Sequence, residues 1–236
     1  MSQALDRFLS LLFPSGCVLC GDAVAPDNYI CARCRPDRVD GVLCALCGKT
    51  TGGCVCRPGN AWAFEQAVSA LHYRHQTRNA LLRLKKTPDM RTARFLADEM
   101  VLALRDALEG DIGFDLVTEV PIHPDKLSAR GFNQAELLAA EVAKSLALPH
   151  RMRVLRCVGA AVFQHALDKK GRVDSAPERY GLAIARIKGA RILLVDDIMT
   201  TGATLDACAK IRKDGGAASV LALTAAGTER NMARAV

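Results

Sequence analysis

Two adjacent acids at the end of an apolar run are the residues of this 236-residue chain most suited to chemistry. Arg191, Ile192, Leu193, Leu194 and Val195 lead into Asp196 and Asp197, and Ile198, Met199, Thr200, Thr201, Gly202, Ala203 and Thr204 follow. The order reads as strand, acidic pair, hydroxyl- and glycine-containing turn, helix. Backbone N–H groups at the start of such a helix are unpaired and sit at the positive end of its dipole, so they favour a phosphate monoester. Three threonine hydroxyls can add donors. Two carboxylates facing the phosphate directly would repel it. They fit if they accept hydrogen bonds from the two vicinal hydroxyls of a ribose attached to that phosphate. As a purely structural feature, Asp197 would be a helix cap and the threonines turn residues, which leaves the double acid unexplained.

A second chemistry is written in cysteine. Eight of the ten cysteines fall between Cys17 and Cys56, whereas Cys157 and Cys208 stand alone among apolar neighbours as ordinary core residues. The cluster is a repeat: Cys17-Val18-Leu19-Cys20-Gly21 returns as Cys44-Ala45-Leu46-Cys47-Gly48, followed by the pairs Cys31/Cys34 and Cys54/Cys56. A C-x-x-C-G turn lets both sulfurs meet one ion, and glycine permits the tight turn. Four thiolates complete tetrahedral Zn²⁺ with no open position, so two structural zinc ribbons are expected. Disulfides or free thiols are the other readings of the same residues. The ligands can pair sequentially, which the repeat favours, or interleave. The opening MSQALDRFLSLLFP has no basic segment followed by a long apolar core and a small-residue cleavage site. The expected setting is therefore cytoplasmic, where metal rather than disulfides employs cysteine.

The elements that must position these groups follow from periodicity. Leu5, Phe8, Leu9, Leu12 and Phe13 recur at helical spacing up to Pro14, for packing on the body of the protein or lying in a membrane interface. Composition changes after Pro58 and Gly59, dividing the chain into a cysteine-rich module, residues 1–60, and a second domain, residues 61–236. In the second domain a strand is expected over 66–73, a short basic helix through Leu84 and an amphipathic helix over 91–108. Apolar run 116–122, helix 134–147, run 154–158 and run 191–195 come next. Helix 205–214 and strand 219–225 complete the series. Nearly continuous apolar strands alternating with helices indicate an α/β domain around a parallel sheet buried on both faces. Ligands then belong at the carboxyl ends of the strands. Half of the residues are hydrophobic and 24% charged, a balance that excludes a disordered chain. The apolar runs stop short of the roughly 20 residues a spanning helix needs.

The run VDDIMTTGAT resembles the phosphoribosyl pyrophosphate (PRPP) signature of type I phosphoribosyltransferases. The eight cysteines, LHYRHQTRNALLRLK, VPIHPDKLSARGFNQAELLA and that signature together resemble, in order and over essentially the whole chain, the competence protein F (ComF) family. The resemblance implies a Rossmann-like type I phosphoribosyltransferase domain behind the zinc-ribbon module. It implies that Asp196 and Asp197 bind the ribose hydroxyls and that Thr200, Thr201, Gly202, Ala203 and Thr204 cradle the 5′-phosphate. The loop over residues 121–133 would grip pyrophosphate, with Mg²⁺, through Lys126 and Arg130; alternatively these are solvated loop charges. A mobile hood would lie over residues 164–180. There the chain departs from the family's pattern, with Arg172, Ser175 and Leu182 where a basic residue, Asn and Phe are usual.

The chemistry implied is displacement of pyrophosphate from C1 of the ribose by a nitrogen nucleophile, with no covalent enzyme intermediate. The family's association with DNA uptake implies single-stranded DNA and other DNA-uptake proteins as partners. A phosphoribosyltransferase acting on a nucleobase or other small amine is the second reading. Net charge is +7, and seven Lys/Arg stand between His72 and Arg94 against one acid, Asp89. Of these, Arg74, Arg78, Arg83, Lys85 and Lys86, with Tyr73 for stacking, could track a single strand. The same cations could also face PRPP or simply solvent. His123 adjoins the pyrophosphate loop; His72, His75, His150 and His165 are expected at the surface or as caps.

Overall fold

The computed structural model describes residues 15–41, 43–50, 53–54, 56, 62–109, 113–158, 179–182 and 187–229. The helix expected before Pro14, the boundary at Pro58–Gly59 and nearly all of the expected hood, with Arg172 and Ser175, lie outside them. The elements in chain order are β1 (Ser15–Gly16), β2 (Ala23–Val24), β3 (Gln66–His72), α1 (His75–Leu84), α2 (Met90–Ala107), β4 (Leu116–Glu119), α3 (Pro124–Arg130) and α4 (Gln134–Ser145). Then come β5 (Leu155–Val158), β6 (Arg179–Leu182), β7 (Arg191–Met199), α5 (Ala203–Asp214) and β8 (Ser219–Gly227).

Four strands form the main sheet in the order β3-β8-β7-β4, and every neighbouring pair is parallel. The strand sequences require this burial, because alternate residues feed two separate cores. Val68, Val117, Leu193, Val195, Leu221 and Leu223 pack with α1, α2 and α4 on one face. On the other face Ala67, Leu116, Ile192, Leu194, Val220 and Ala222 pack with α5. A strand apolar at every position is the signature of a sheet covered on both sides.

The cysteine-rich module straddles the edge of this sheet. Cys17, Val18, Leu19 and Cys34 join the first core and Cys47 the second. Residues 37–39 run antiparallel to β3: the Val39 amide donates to Ala70 O at 3.0 Å and the His72 amide to Asp37 O at 2.8 Å. The exposed edge of β3 is thereby capped by backbone that would otherwise need a partner of its own.

Three expectations are corrected. The run 154–158 is not a core strand: β5 pairs antiparallel with β6 in a separate two-stranded sheet. The loop over 121–133 contains a helix, α3, started by His123, whose Nδ1 accepts from the Asp125 amide at 3.3 Å, and ended by Gly131 in the left-handed conformation. Strand β7 continues past Val195 through the acidic pair to Met199, because β8 pairs with it out to Gly227. No helix among the described residues is long and apolar enough to cross a membrane.

Candidate functional site

The carboxyl ends of β4 and β7 open onto a cleft of about 190 Å³. Asp196, Asp197 and Thr204 line it, together with Lys85, His123, Lys126, Arg130, Asn133, Gln134 and Tyr180. Each lining group has a local reason to be there. Asn133 caps α4, accepting from the Ala135 amide at 3.1 Å, while its Nδ2 donates to Val120 O at 3.0 Å. That pair of bonds fixes the chain between α3 and α4. Lys126 and Arg130, four residues apart, occupy neighbouring turns of one helix, and Arg130 donates to Gln134 Oε1 at 2.9 Å.

The acidic pair is asymmetric. Asp197 is buried, with the Lys85 ammonium 2.9 Å from its Oδ2 and Gln134 Nε2 donating to the same oxygen at 3.3 Å. Asp196 has no such cation within contact among the described residues; its Oδ1 accepts the Asp197 amide at 2.8 Å. Burial, followed by the neighbouring charge of Asp197, pushes the Asp196 carboxyl well above the usual carboxylate range. Raised in this way, the partly buried Asp196 keeps the charge beside an anion low while its oxygens can still accept a ligand's hydroxyls.

After the pair the chain turns at Gly202, whose φ of 84° starts α5 without any side-chain cap. A Cβ there would stand 3.0 Å from Met199 Cε and 3.4 Å from Trp62 Cη2, so glycine is required by conformation and by space. Thr200, Thr201, Ala203 and Thr204 are exposed on this turn. Among the described residues, the side-chain acceptor on the turn is Thr201 Oγ1, facing the Ala203 amide at 3.4 Å. The open amides suit an anion.

Both cysteine clusters assemble sequentially. The sulfurs of Cys17, Cys20, Cys31 and Cys34 lie within 4.8 Å of one another, as do those of Cys44, Cys47, Cys54 and Cys56. Cys17 is drawn down to about 6 because amide donors from Cys20, Cys31 and Leu19 outweigh its burial, and the Cys47 amide leads the causes that bring Cys44 to about 7. Cys56 is pushed up to about 12, chiefly by burial. Four soft donors this close together, with a thiolate already favoured, fit Zn²⁺. The chain holds the ligands for two such ions, and neither cluster leaves an open position.

The cations between His72 and Arg94 do not form one open stripe. Arg74 makes a two-pronged contact with Asp37 at 2.6 and 3.0 Å. Arg83 donates to Val18 O, and Arg91 to Pro26 O and Asn28 O while lying over the Tyr29 ring. Arg94 pairs with Glu141, and Lys85 belongs to the cleft. Arg78 and Lys86 are exposed and carry no such tie among the described residues. The ribbon module exposes carbonyls and a carboxylate toward the helices, and these cations satisfy them. Two histidines expected at the surface or as caps are instead paired with acids: His72 is buried beside Glu229 at 3.3 Å, and the partly buried His150 has its Nε2 3.0 Å from buried Glu119.

Lys49, Trp62 and Gln134 are the site residues that sequence reasoning missed. Lys49 is buried, and its Nζ donates to Thr200 O and, at 2.7 Å, to Thr228 O. Its position directly after a C-x-x-C-G knuckle is visible in sequence, but its target 151 residues away is not. Gln134 stands in the FNQAELLA stretch, where its glutamine looks like any first-turn polar residue.

The double zinc ribbon domain matches residues 8–61 and the phosphoribosyl transferase domain residues 133–234. Competence protein F of Haemophilus influenzae is 26% identical over 209 residues, covering 85% of this chain and 91% of its own. DNA utilization protein YhgH of Salmonella typhi is 28% identical over 225 residues, 89% of this chain and 96% of its own. Competence protein ComFC of Bacillus subtilis is 27% identical over 213 residues, 84% of each chain. The resemblance to the competence protein F family is borne out along most of the chain.

Proposed function

We propose that this chain, a double zinc ribbon domain joined to a phosphoribosyl transferase domain with competence protein F relatives, binds PRPP and handles single-stranded DNA during DNA uptake. The observation that carries the reading is that Asp196, Asp197 and Thr204, in the first turn of α5, share one cleft with Lys85, Lys126 and Arg130. Asp196 and Asp197 take the ribose hydroxyls. Thr200, Thr201, Gly202, Ala203 and Thr204 take the 5′-phosphate. Lys126 and Arg130 take the pyrophosphate, which arrives with Mg²⁺. The module over residues 1–60 is structural and holds two Zn²⁺, and residues 61–236 form the ligand-binding domain. The protein works in the cytoplasm, and the relatives' names, which speak of competence and DNA utilization, support other DNA-uptake proteins as partners. Arg78 and Lys86 are the cations left for the DNA backbone.

A second reading is supported by the same cleft, because Lys126 and Arg130 line it where they could hold the charge of a leaving pyrophosphate. In a phosphoribosyl transfer, the bond from C1 to the pyrophosphate oxygen breaks with its electron pair leaving on pyrophosphate. A nitrogen lone pair forms the new bond to C1, and that nitrogen then loses a proton. The protein's part is to position the two reactants and hold the leaving charge. Pyrophosphate release that depends on a particular nitrogen base, and stops when Asp196 and Asp197 both become Asn, favours this reading. Retention of DNA without turnover favours the first.

The test of the shared premise is a thermal-shift titration with PRPP and Mg²⁺. A ligand that binds only the folded state raises the transition progressively with its concentration. The expected result is such a rise in the wild type and none in the double Asp196→Asn, Asp197→Asn variant. A flat wild-type titration overturns the assignment of the cleft.

A further inference from the structure

We infer that Lys49 is a positioning residue for the phosphate turn, through which the second cysteine cluster holds that turn in its binding shape. The inference rests on the assignment of residues 200–204 to a ligand phosphate. Lys49 approaches from the ribbon, and its ammonium is desolvated between the carbonyls of Thr200 and Thr228. These carbonyls belong to neighbouring strand ends, since the Thr228 amide donates to Met199 O at 3.0 Å. One ammonium therefore fixes the point at which β7 becomes the turn.

Peptide planarity makes that point matter. The Thr200 carbonyl and the Thr201 N–H lie on opposite sides of one rigid trans unit. Holding the carbonyl on Lys49 directs the following N–H the other way. No backbone acceptor takes the Thr201 amide among the described residues. Losing the ammonium would free this peptide to rotate and would leave the Thr200 carbonyl and the buried Thr228 carbonyl with one donor fewer.

The base of Lys49 is fixed just as closely. The Cys44 amide donates to Lys49 O at 2.8 Å and the Gly48 amide to Cys44 O at 2.9 Å, which folds the knuckle around the Cys44 sulfur. The Ala67 amide donates to Leu46 O at 2.8 Å, docking that knuckle on β3. Gly48 has φ of 62°, and a Cβ on it would run into the Ala67 carbonyl. A second strut runs parallel. Trp62 Nε1 donates to Cys56 Sγ at 3.3 Å, while the far edge of the same indole stands against Gly202. Metal at the second cluster and phosphate at the turn thus stabilise one arrangement, and binding at one must favour binding at the other by an equal factor.

The test uses the full-length, zinc-loaded chain and two probes. Ribose 5-phosphate reaches the acidic pair and the turn, whereas inorganic pyrophosphate with Mg²⁺ reaches the α3 cations. Lys49→Met keeps the apolar stem and removes the donors. The expected result is a loss of ribose 5-phosphate affinity of about tenfold, the size of one hydrogen bond to a charged group, with pyrophosphate affinity unchanged. Equal ribose 5-phosphate affinity in the two proteins overturns the inference, as does an equal loss for both probes. If the wild type binds neither probe, the cleft assignment fails first and the inference falls with it. Should Lys49→Met not fold, zinc release from the wild type to a chelating dye decides. Ribose 5-phosphate is expected to slow release from one of the two clusters, and release unaffected at both overturns the coupling.

Discussion

The ammonium of Lys85 stands 2.9 Å from the carboxylate of buried Asp197, although the two residues are 112 positions apart and belong to α1's C-terminal end and β7. The contact removes Lys85 from the set of surface cations and gives it to the cleft. It also explains how two adjacent acids can border an anionic ligand, since one of them is neutralised. Substituting Lys85 by Ala is expected to weaken PRPP binding by about tenfold or more, the worth of one charge-assisted hydrogen bond. Lys86→Ala, exposed next to it, is expected to leave PRPP affinity within about twofold, as surface changes commonly do. Calorimetric titration of both variants checks the contrast.

Asp196 supplies a pH dependence with a definite sign. Its folded-state pKa is raised, first by burial and then by Asp197. Between the ordinary carboxylate pKa and that raised value, the folded protein binds a proton that the unfolded chain has released. Stability therefore falls as pH rises through this window. Asp196→Asn is expected to flatten the fall, melting above the wild type at the upper end of the window, and to lose ligand binding. Melting temperatures across a pH series read the first effect, and a PRPP titration the second.

Glu119 behaves in the opposite way. Burial opposes its charge, but His150 and the Arg153 amide, 2.7 Å from Oε1, hold it below the usual range. Its contribution is present above the unfolded carboxylate pKa and is lost as pH falls through the folded one. Glu119→Gln is expected to be less stable than wild type near neutrality by about 1–3 kcal/mol, the cost of an impaired buried bond. That gap should close under acid; a gap independent of pH would refute the assignment. Denaturant titrations at two pH values measure it.

Metal content separates the two clusters. Metal analysis is expected to find two zinc ions in the wild type and one in either Cys17→Ser or Cys44→Ser, because the ligand sets are sequential and share no sulfur. An interleaved arrangement would couple the losses. Cys17 and Cys47 sit in the cores on opposite faces of the sheet, so chelation should lower the melting temperature of the whole chain.

For nucleic acid, Arg78→Ala with Lys86→Ala is expected to weaken single-stranded DNA binding. Its salt dependence should flatten by about 0.7 log unit for each phosphate that is no longer neutralised. Arg74→Ala should instead act on stability, because it leaves Asp37 without its two-pronged partner. Fluorescence anisotropy at several salt concentrations, with melting curves, distinguishes the two. Unchanged DNA binding in the double variant would exclude these cations from the interface.

What the sequence determined by itself is whatever its chemistry keeps contiguous. The acidic pair, the threonines and Gly202 are neighbours in the chain, so strand, turn and helix follow from local pattern. Cysteine spacing likewise indicated eight ligands for two ions, leaving sequential or interleaved pairing to the structure, which pairs them sequentially; strands apolar at every position implied the doubly covered parallel sheet. Tertiary structure decided the rest, for reasons of reach. Whether Arg74, Arg83 and Lys85 face DNA, the ribbons or the cleft depends on what packs opposite them, and composition cannot see that. Run 154–158 is as apolar as a core strand, yet pairing with β6 outside the main sheet gives it another place. Lys49 is the clearest case. Its own neighbours are metal ligands, and only the docking of the knuckle on β3 brings its ammonium to the phosphate turn.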